Sequence, residues 1–541
     1  GDHRDLHLSL RRQRQMCIRD SSNTVSSNKN SMVFGKLNNI SNNDSIGALG
    51  SNNIVNNTSE NSLIVGFQNT ENNGTNDIVY GSLNNSTTNQ NTLTGGVSNI
   101  TSTNNKSMIV GDNNTITSTE NTSVLGKQNQ VSQSNMSSII GITNNSTSSV
   151  NTIIVGESNV EKNGLSNAVF GKENDVSGAS MTITSGFDNE IVDGSYNIIV
   201  GNSHNISKSV ESSVAGKNIS LNDSSQILAS GEGHSISTNT VATFITGKNN
   251  SEITGQYNIV SGLSNSSTSN NKTIISGEDN NVNSNNNSGI IGKSNIVTNS
   301  NYSFTQGISN TLNTSNKSVT FGWGNNVTNS EHSIIQGNAH ISSSNQNVAM
   351  FGSTNDLNQE TNSLVIGNAN DIQFGEDSFY GGKSNNNSTA KQSIIVGSSN
   401  TTITNTNIAL FGKDNNVSSC VESIVAGDTI TEQNGKHNAI FGKGHVSVSA
   451  EGTIITGKEN AISGNTKYSA IIGETHNIET AVKSITVGNN NTITSSDTSA
   501  SFGQELTIKD TTINTLVSGN ASIISTSTNS FITGFGHNEV S

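Results

Sequence analysis

The chain has no proline, two cysteines and one tryptophan in 541 residues. The missing proline removes the one residue that cannot donate to a backbone ladder, so nothing in the composition interrupts strand pairing. Cys17 and Cys420 are too few for a disulfide framework and have no metal-ligand spacing. Aromatic residues make up 4% and apolar residues 30%, which excludes a set of ordinary globular cores. Scarce apolar residues can mean disorder, but only 12% of the chain is charged, and the apolar residues recur in phase. The net charge is −14 and no basic cluster stands in the repeats, so no nucleic-acid partner is expected. No apolar run approaches the roughly 20 residues of a membrane helix, so this segment is not expected to insert into a membrane. Asn-x-Ser/Thr sequons are frequent, as they must be in so Asn- and Ser-rich a chain.

What the chain does have is glycine at a fixed interval. Counting Gly35, Gly50, Gly66 and so on to Gly534, there are 34 glycines and 33 intervals. Four intervals, those ending at Gly66, Gly247, Gly473 and Gly519, are 16 residues; the rest are 15. Such a period is the signature of a repeat architecture and overrides a domain count from length.

With each glycine as position 0, position −2 is Val, Ile, Ala, Leu, Met or Tyr in 28 repeats, Thr in five and Ser501 in one. Positions −3 and −1 are commonly apolar too. Alternation along a strand sends −2 to one face and −3 and −1 to the other. Apolar residues on both faces predict a strand buried on both sides. A weaker Asn-x-Ile/Val-Ser/Thr strand follows, as in "NNTITS" around Ile116. Fifteen residues suit one coil of a β-solenoid with two short strands. The glycine is expected where the chain turns between them. Position +3 is Asn in 24 repeats and His in six (His204, His234, His340, His445, His476 and His537). Both residue types favour the left-handed region, so +3 reads as a turn position whose side chains stack into a hydrogen-bonding ladder. One slot shared by six scattered histidines is structural; a metal site needs convergent ligands.

Residues 1–21, "GDHRDLHLSLRRQRQMCIRDS", lack the period and hold all five arginines. Met16 to Ser21, "MCIRDS", resembles the translation of a sequencing-library adapter, and 1–21 is read as a non-native segment preceding one repeat domain over 22–541. The true N-terminus is then expected to be missing, and the ending within a repeat, "GFGHNEVS", reads as truncated too.

The unit Ser-x-(Ile/Val/Ala)-x-Gly-x-x-Asn-x-(Ile/Val/Ala), as in "NSLIVGFQN" (61–69) and "NNKSMIVGDNNTIT" (104–117), resembles the head repeat of YadA-like trimeric autotransporter adhesins. Similar units occur in phage and viral fibres. The resemblance covers residues 22–541. It implies an all-β, left-handed parallel β-roll of about 34 coils, three chains around one axis, no cofactor, and a protein or glycan receptor on another surface. It departs from the family in its 15-residue period and in Val or Ile at −2, where Ala is usual. No neck, heptad stalk or membrane-anchoring barrel is visible, so outer-membrane anchoring would fall to a part of the protein not present here.

No phosphate-cradling or dinucleotide motif stands outside the repeat. Glu157, Asp188 and Glu474 are scattered at expected turn positions with no repeated close carboxylate pair. Cys420 reads as an inert thiol in a connecting segment, and Trp323 as a surface aromatic on a turn. No catalytic, cofactor-binding or metal residue is expected, and the sequence names no ligand-binding residue. The expected function is a surface-exposed, homotrimeric adhesin head outside the cell; the alternative is a virion or tail fibre. An ice-binding solenoid would need a regular Thr-x-Thr array, and threonine here is irregular.

Overall fold

The computed structural model describes residues 22–536 and 538–540; the segment 1–21, His537 and Ser541 lie outside the described residues. Among the described residues there are strands, bridges and turns and no helix. The chain forms two units, the first ending at Ser269 and the second starting at Asn270. Each is a parallel β-solenoid built from the same coil, about 34 turns in all with the period of the glycines.

The coil around Gly111 shows the design. A five-residue strand, Met108–Asp112, is followed by a three-residue strand, Thr115–Thr117. A third side consists of one residue, Glu120, bridged to Asn105 and Asn135 in the coils before and after. Three residues with positive φ make the corners: Asn113 (55°), Ser118 (56°) and Asn121 (54°). The coil therefore has three sides where the sequence predicts two strands. The third is too short to leave a periodic signal of its own.

Strands stack in parallel and in register, Met108 beside Ser123 and Thr115 beside Gln130, one period apart. Five side chains per coil point inward, at −2, +3, +5, +8 and +11; here they are Ile109, Asn114, Ile116, Thr119 and Thr122, all buried. Burying an Ile or Val side chain contributes roughly 1.5–3 kcal/mol, so the −2 and +5 rows supply most of each coil's apolar stabilisation. The 16-residue coils keep this register by placing the extra residue at the second corner. In three of the four, two successive residues there have positive φ, Asn57 and Thr58, Thr238 and Asn239, and Asp510 and Thr511; in the fourth Gly464 alone does.

Two expectations are corrected. The repeat glycine does not turn the chain. It is the fourth residue of the long strand, as Gly111 is in Met108–Asp112, and it holds a positive φ there (139°). A Cβ on Gly111 would lie 1.8 Å from the carbonyl oxygen of Gly126 in the next coil. Close approach of stacked backbones, not chain reversal, demands glycine. The turn residue is +2, and +3 is an inward, buried position rather than a left-handed one.

Candidate functional site

Position +3 is the inner lining of the first corner. The side chain of Asn114 donates from Nδ2 to Asn99 Oδ1 (2.9 Å) and to the Gly126 carbonyl (2.9 Å). Its own Oδ1 accepts the N–H (3.1 Å) and the Nδ2 (3.0 Å) of Asn129. The same bonds recur from coil to coil, for example at Asn144 and Asn159. The ladder expected from the sequence is present, and it ties side chains to the backbone of the neighbouring glycine.

Histidine reproduces the amide. In His340, Nδ1 accepts the N–H of Asn355 (3.2 Å), and Nε2 sits 3.2 Å from the Gln336 carbonyl, which makes Nε2 the protonated nitrogen. His204, His234, His445 and His476 make the equivalent pairs. Burial lowers the pKa of all five below the usual histidine value. Each ring has both nitrogens engaged with backbone, so these histidines act as neutral ladder members.

The second corner holds what the sequence reading missed. Four coils carry glutamate at +5, glycine at +8 and Asn or Asp at +11: Glu71, Gly74 and Asp77; Glu161, Gly164 and Asn167; Glu252, Gly255 and Asn258; Glu432, Gly435 and Asn438. All four glutamates are buried. In three coils the carboxyl accepts a hydrogen bond from the +11 amide, 2.8 Å from Asn167, 2.9 Å from Asn258 and 2.8 Å from Asn438. The carboxyl fills the space a side chain at +8 would take: a Cβ on Gly164 would lie 1.5 Å from Glu161 Oε1. Each glutamate also pairs in register with a serine of an adjacent coil: Ser86, Ser146, Ser267 and Ser447.

Burial pushes the Glu161 carboxyl up to about 8 and the Glu252 carboxyl to about 7, because no cation compensates a charge there. Glu432 is raised for the same reason. Glu71 and Asp77 face each other and both rise, through burial first and for Glu71 through the neighbouring carboxyl as well. Glu360, at +8, uses the room left by Gly375, whose N–H donates to it, and burial raises it to about 7. The signal for these groups was in the sequence as Glu-x-x-Gly-x-x-Asn/Asp. It was hidden because +5 and +8 vary freely elsewhere.

The remaining candidates fall into place singly. Cys420 is buried at +8, donates to the Ser418 carbonyl (3.2 Å), and burial, with Glu432 nearby, holds its thiol up at about 12. Glu157 and Glu474 end long strands on the outside, and Asp188 is a corner residue. Trp323 ends the strand Val319–Trp323 and is 59% exposed.

The outer face of the long strand is apolar and open. Ile153, Ile183, Ile198 and Leu228 in the first unit, and Ile334, Ile394, Ile424 and Ile454 in the second, are all exposed at −3. The −1 row adds Phe170 and Val200, then Phe411, Phe441 and Phe502. Double burial of this strand is thus half right within one chain: −2 is inside, and −3 and −1 face out. Bulk is levelled across coils. Tyr80 lies over Gly95, where a Cβ would meet its ring at 2.1 Å, and Phe304 lies beside Gly289. From Ile394 to Leu516, coils with a large residue at −3 alternate with coils carrying Ala at −3 and Phe or Ile at −1. No family model and no curated protein matches this chain.

Proposed function

We propose that this chain is the attachment part of a surface fibre, a homotrimeric adhesin head displayed outside the cell and anchored through a part not in this sequence. The observation that carries the reading is the levelled apolar face of −3 and −1 side chains that recurs through both units. Monomers in solution rarely expose a continuous apolar patch beyond a few hundred Å². Cyclic packing of three copies covers such a face and closes on itself, leaving no open surface for further growth. The polar corners then remain outward as the surface that meets a protein or glycan receptor, with weak contacts multiplied over three chains. The hydrogen-bonded interior gives the stiffness that a presenting scaffold needs.

Static light scattering on the chain should give three times its 56.5 kDa mass. A soluble monomer at micromolar concentration contradicts the assembly. Beads coated with the protein should be retained on cell or matrix layers above albumin-coated beads; equal retention contradicts attachment.

A further inference from the structure

A repeat supplies its own controls, because a departure found in one place stands out against the coils that lack it. The bridge at +9 is the third side of the coil. In the first unit it runs unbroken from Lys29 to Gln256. In the second it runs from Asn271 to Asn286 and again from Glu331 to Thr528. Among the described residues no bridge joins Asn286, Asn301, Asn316 and Glu331 in succession. Side chains take over instead: the N–H of Asn286 donates to Asn301 Oδ1 (2.8 Å), and the N–H of Asn301 donates to Asn316 Oδ1 (2.9 Å). The Nδ2 groups of Asn301 and Asn316 make no hydrogen bond among the described residues.

The corner beside this gap carries Tyr302, Lys317 and His332 in three successive coils, each with positive φ. Tyr302 is 63% exposed, its ring held outward by the positive φ common to this corner. Lys317 makes no ion pair among the described residues, whereas Lys293, Lys391 and Lys467 of the same unit pair with Glu278, Glu376 and Glu451. His332 is likewise unpaired, whereas His437 at the same position meets Glu422 at 2.8 Å. With Asn301, Asn316 and Glu331 these residues line an open cleft of about 240 Å³. Tyr196 and Tyr468 occupy equivalent corners beside an unbroken bridge column, and the Tyr468 hydroxyl donates to Glu451 (3.4 Å).

We propose that this cleft is a subsite for a pyranose sugar, stacked on Tyr302 and hydrogen-bonded by Asn301, Asn316, Lys317 and Glu331. A flat exposed ring with a polar tip accepts the C–H face of a sugar. Vicinal hydroxyls need donors and acceptors side by side, which two free carboxamide N–H₂ groups, an ammonium and a carboxylate provide. Lys317 and Glu331 balance in charge, which suits an uncharged sugar. A shallow, open cleft binds one sugar weakly and gains from repetition over several chains. The proposal deepens the attachment reading by naming a ligand class, but its test concerns the purified chain alone. Failure here leaves the assembly and bead-retention results to decide attachment separately.

Saturation-transfer difference NMR on the full chain, with the methyl glycosides of glucose, galactose, mannose and N-acetylglucosamine at millimolar concentration, should show transfer to ring C–H protons of at least one. Tyr302→Asn, which installs the residue already present at Asn287 and Asn347, should abolish the transfer with the circular dichroism spectrum unchanged. Lys317→Asn should reduce it severalfold, and Tyr468→Asn should leave it intact. Transfer to none of the four, transfer that survives Tyr302→Asn, or equal loss in Tyr468→Asn would overturn the assignment.

Discussion

The corners on either side of the short strand obey different rules. At the first, glycine at 0 recurs in every coil and asparagine at +3 in 24 of 34, because the bonds made there tie each coil to its neighbours as well as to its own long strand. Changing Asn114 alone removes one bond each from Asn99, Gly126 and the Asn129 amide and leaves the Asn129 N–H without its acceptor. At the second, the acid groups close largely within one coil, as Glu161 does with Gly164 and Asn167. Position +8 can therefore be Ser149, Gly164, Ala179 or Cys420 without breaking the stack. The repeat is strict where a coil-to-coil bond needs one side-chain type, and it varies at +8, where a serine, an asparagine or a local acid can each fill the space.

The sharpest break of the first corner is Gly126→Ala. The added Cβ would sit 1.9 Å from the Gly141 carbonyl oxygen, at a φ of 135°. We expect a loss on the order of 3 kcal/mol or more, or a chain that does not fold. Gly324→Ala, at φ 65° with nothing within 4 Å, should cost about 1 kcal/mol. Urea unfolding followed by circular dichroism reads both, and equal losses would refute the crowding argument.

At the second corner the cost should depend on a partner in the same coil. Gly164→Ala should destabilise by about 2 kcal/mol in the native background and by about 1 kcal/mol less once Glu161→Val has removed the carboxyl. An additive double-mutant cycle would show that glycine at +8 does not serve the acid.

The two corners should also answer pH in opposite directions. Glu161, facing Asn167 with Asp175 nearby, is raised from an ordinary value of 4.5 to about 8, and Glu252, facing Asn258 and Ser267, to about 7. Their contribution is fully present below the unfolded value and is lost as pH rises through 7 and 8, because the folded state must then give up bound protons. The +3 histidines are lowered, so their contribution is present above their ordinary value of 6.5 and is lost in acid. The urea midpoint of the first unit should fall on going from about pH 6 to about pH 9, and Glu161→Gln should flatten that fall. A midpoint that rises with pH would contradict neutral interior acids.

The smallest effect belongs to His340→Asn. The amide repeats both bonds of the ring, so stability should change by no more than about 0.5 kcal/mol. A larger change would mean that the imidazole does something the asparagines do not.

The glycine period, the separation of −2 from −3 and −1, and the +3 ladder were legible because each recurs along the chain, and repetition made the signal visible in one sequence; which of the two faces enters the coil was not. The placement of glycine within the strand was not legible. A 15-residue period says that a residue recurs but not which torsion it holds, and glycine is used equally for turns and for close backbone approach. The third side was hidden because a single bridging residue has no internal alternation. The buried acids were hidden because four coils in 34 do not make a periodic signal, and because Glu71 and Gly74, three residues apart, declare their partnership only when both are seen to share one interior space.

The sequence by itself determined the coil, its length and the division of the long strand into a −2 face and a −3 and −1 face, since stacking copies one local pattern along the chain. Tertiary structure alone decided which polar groups share the interior and which apolar row is left outside. Burial is a property of the closed coil: the same glutamate would be charged and solvated on an open strand, and becomes a neutral strut only when the coils above and below shut water out.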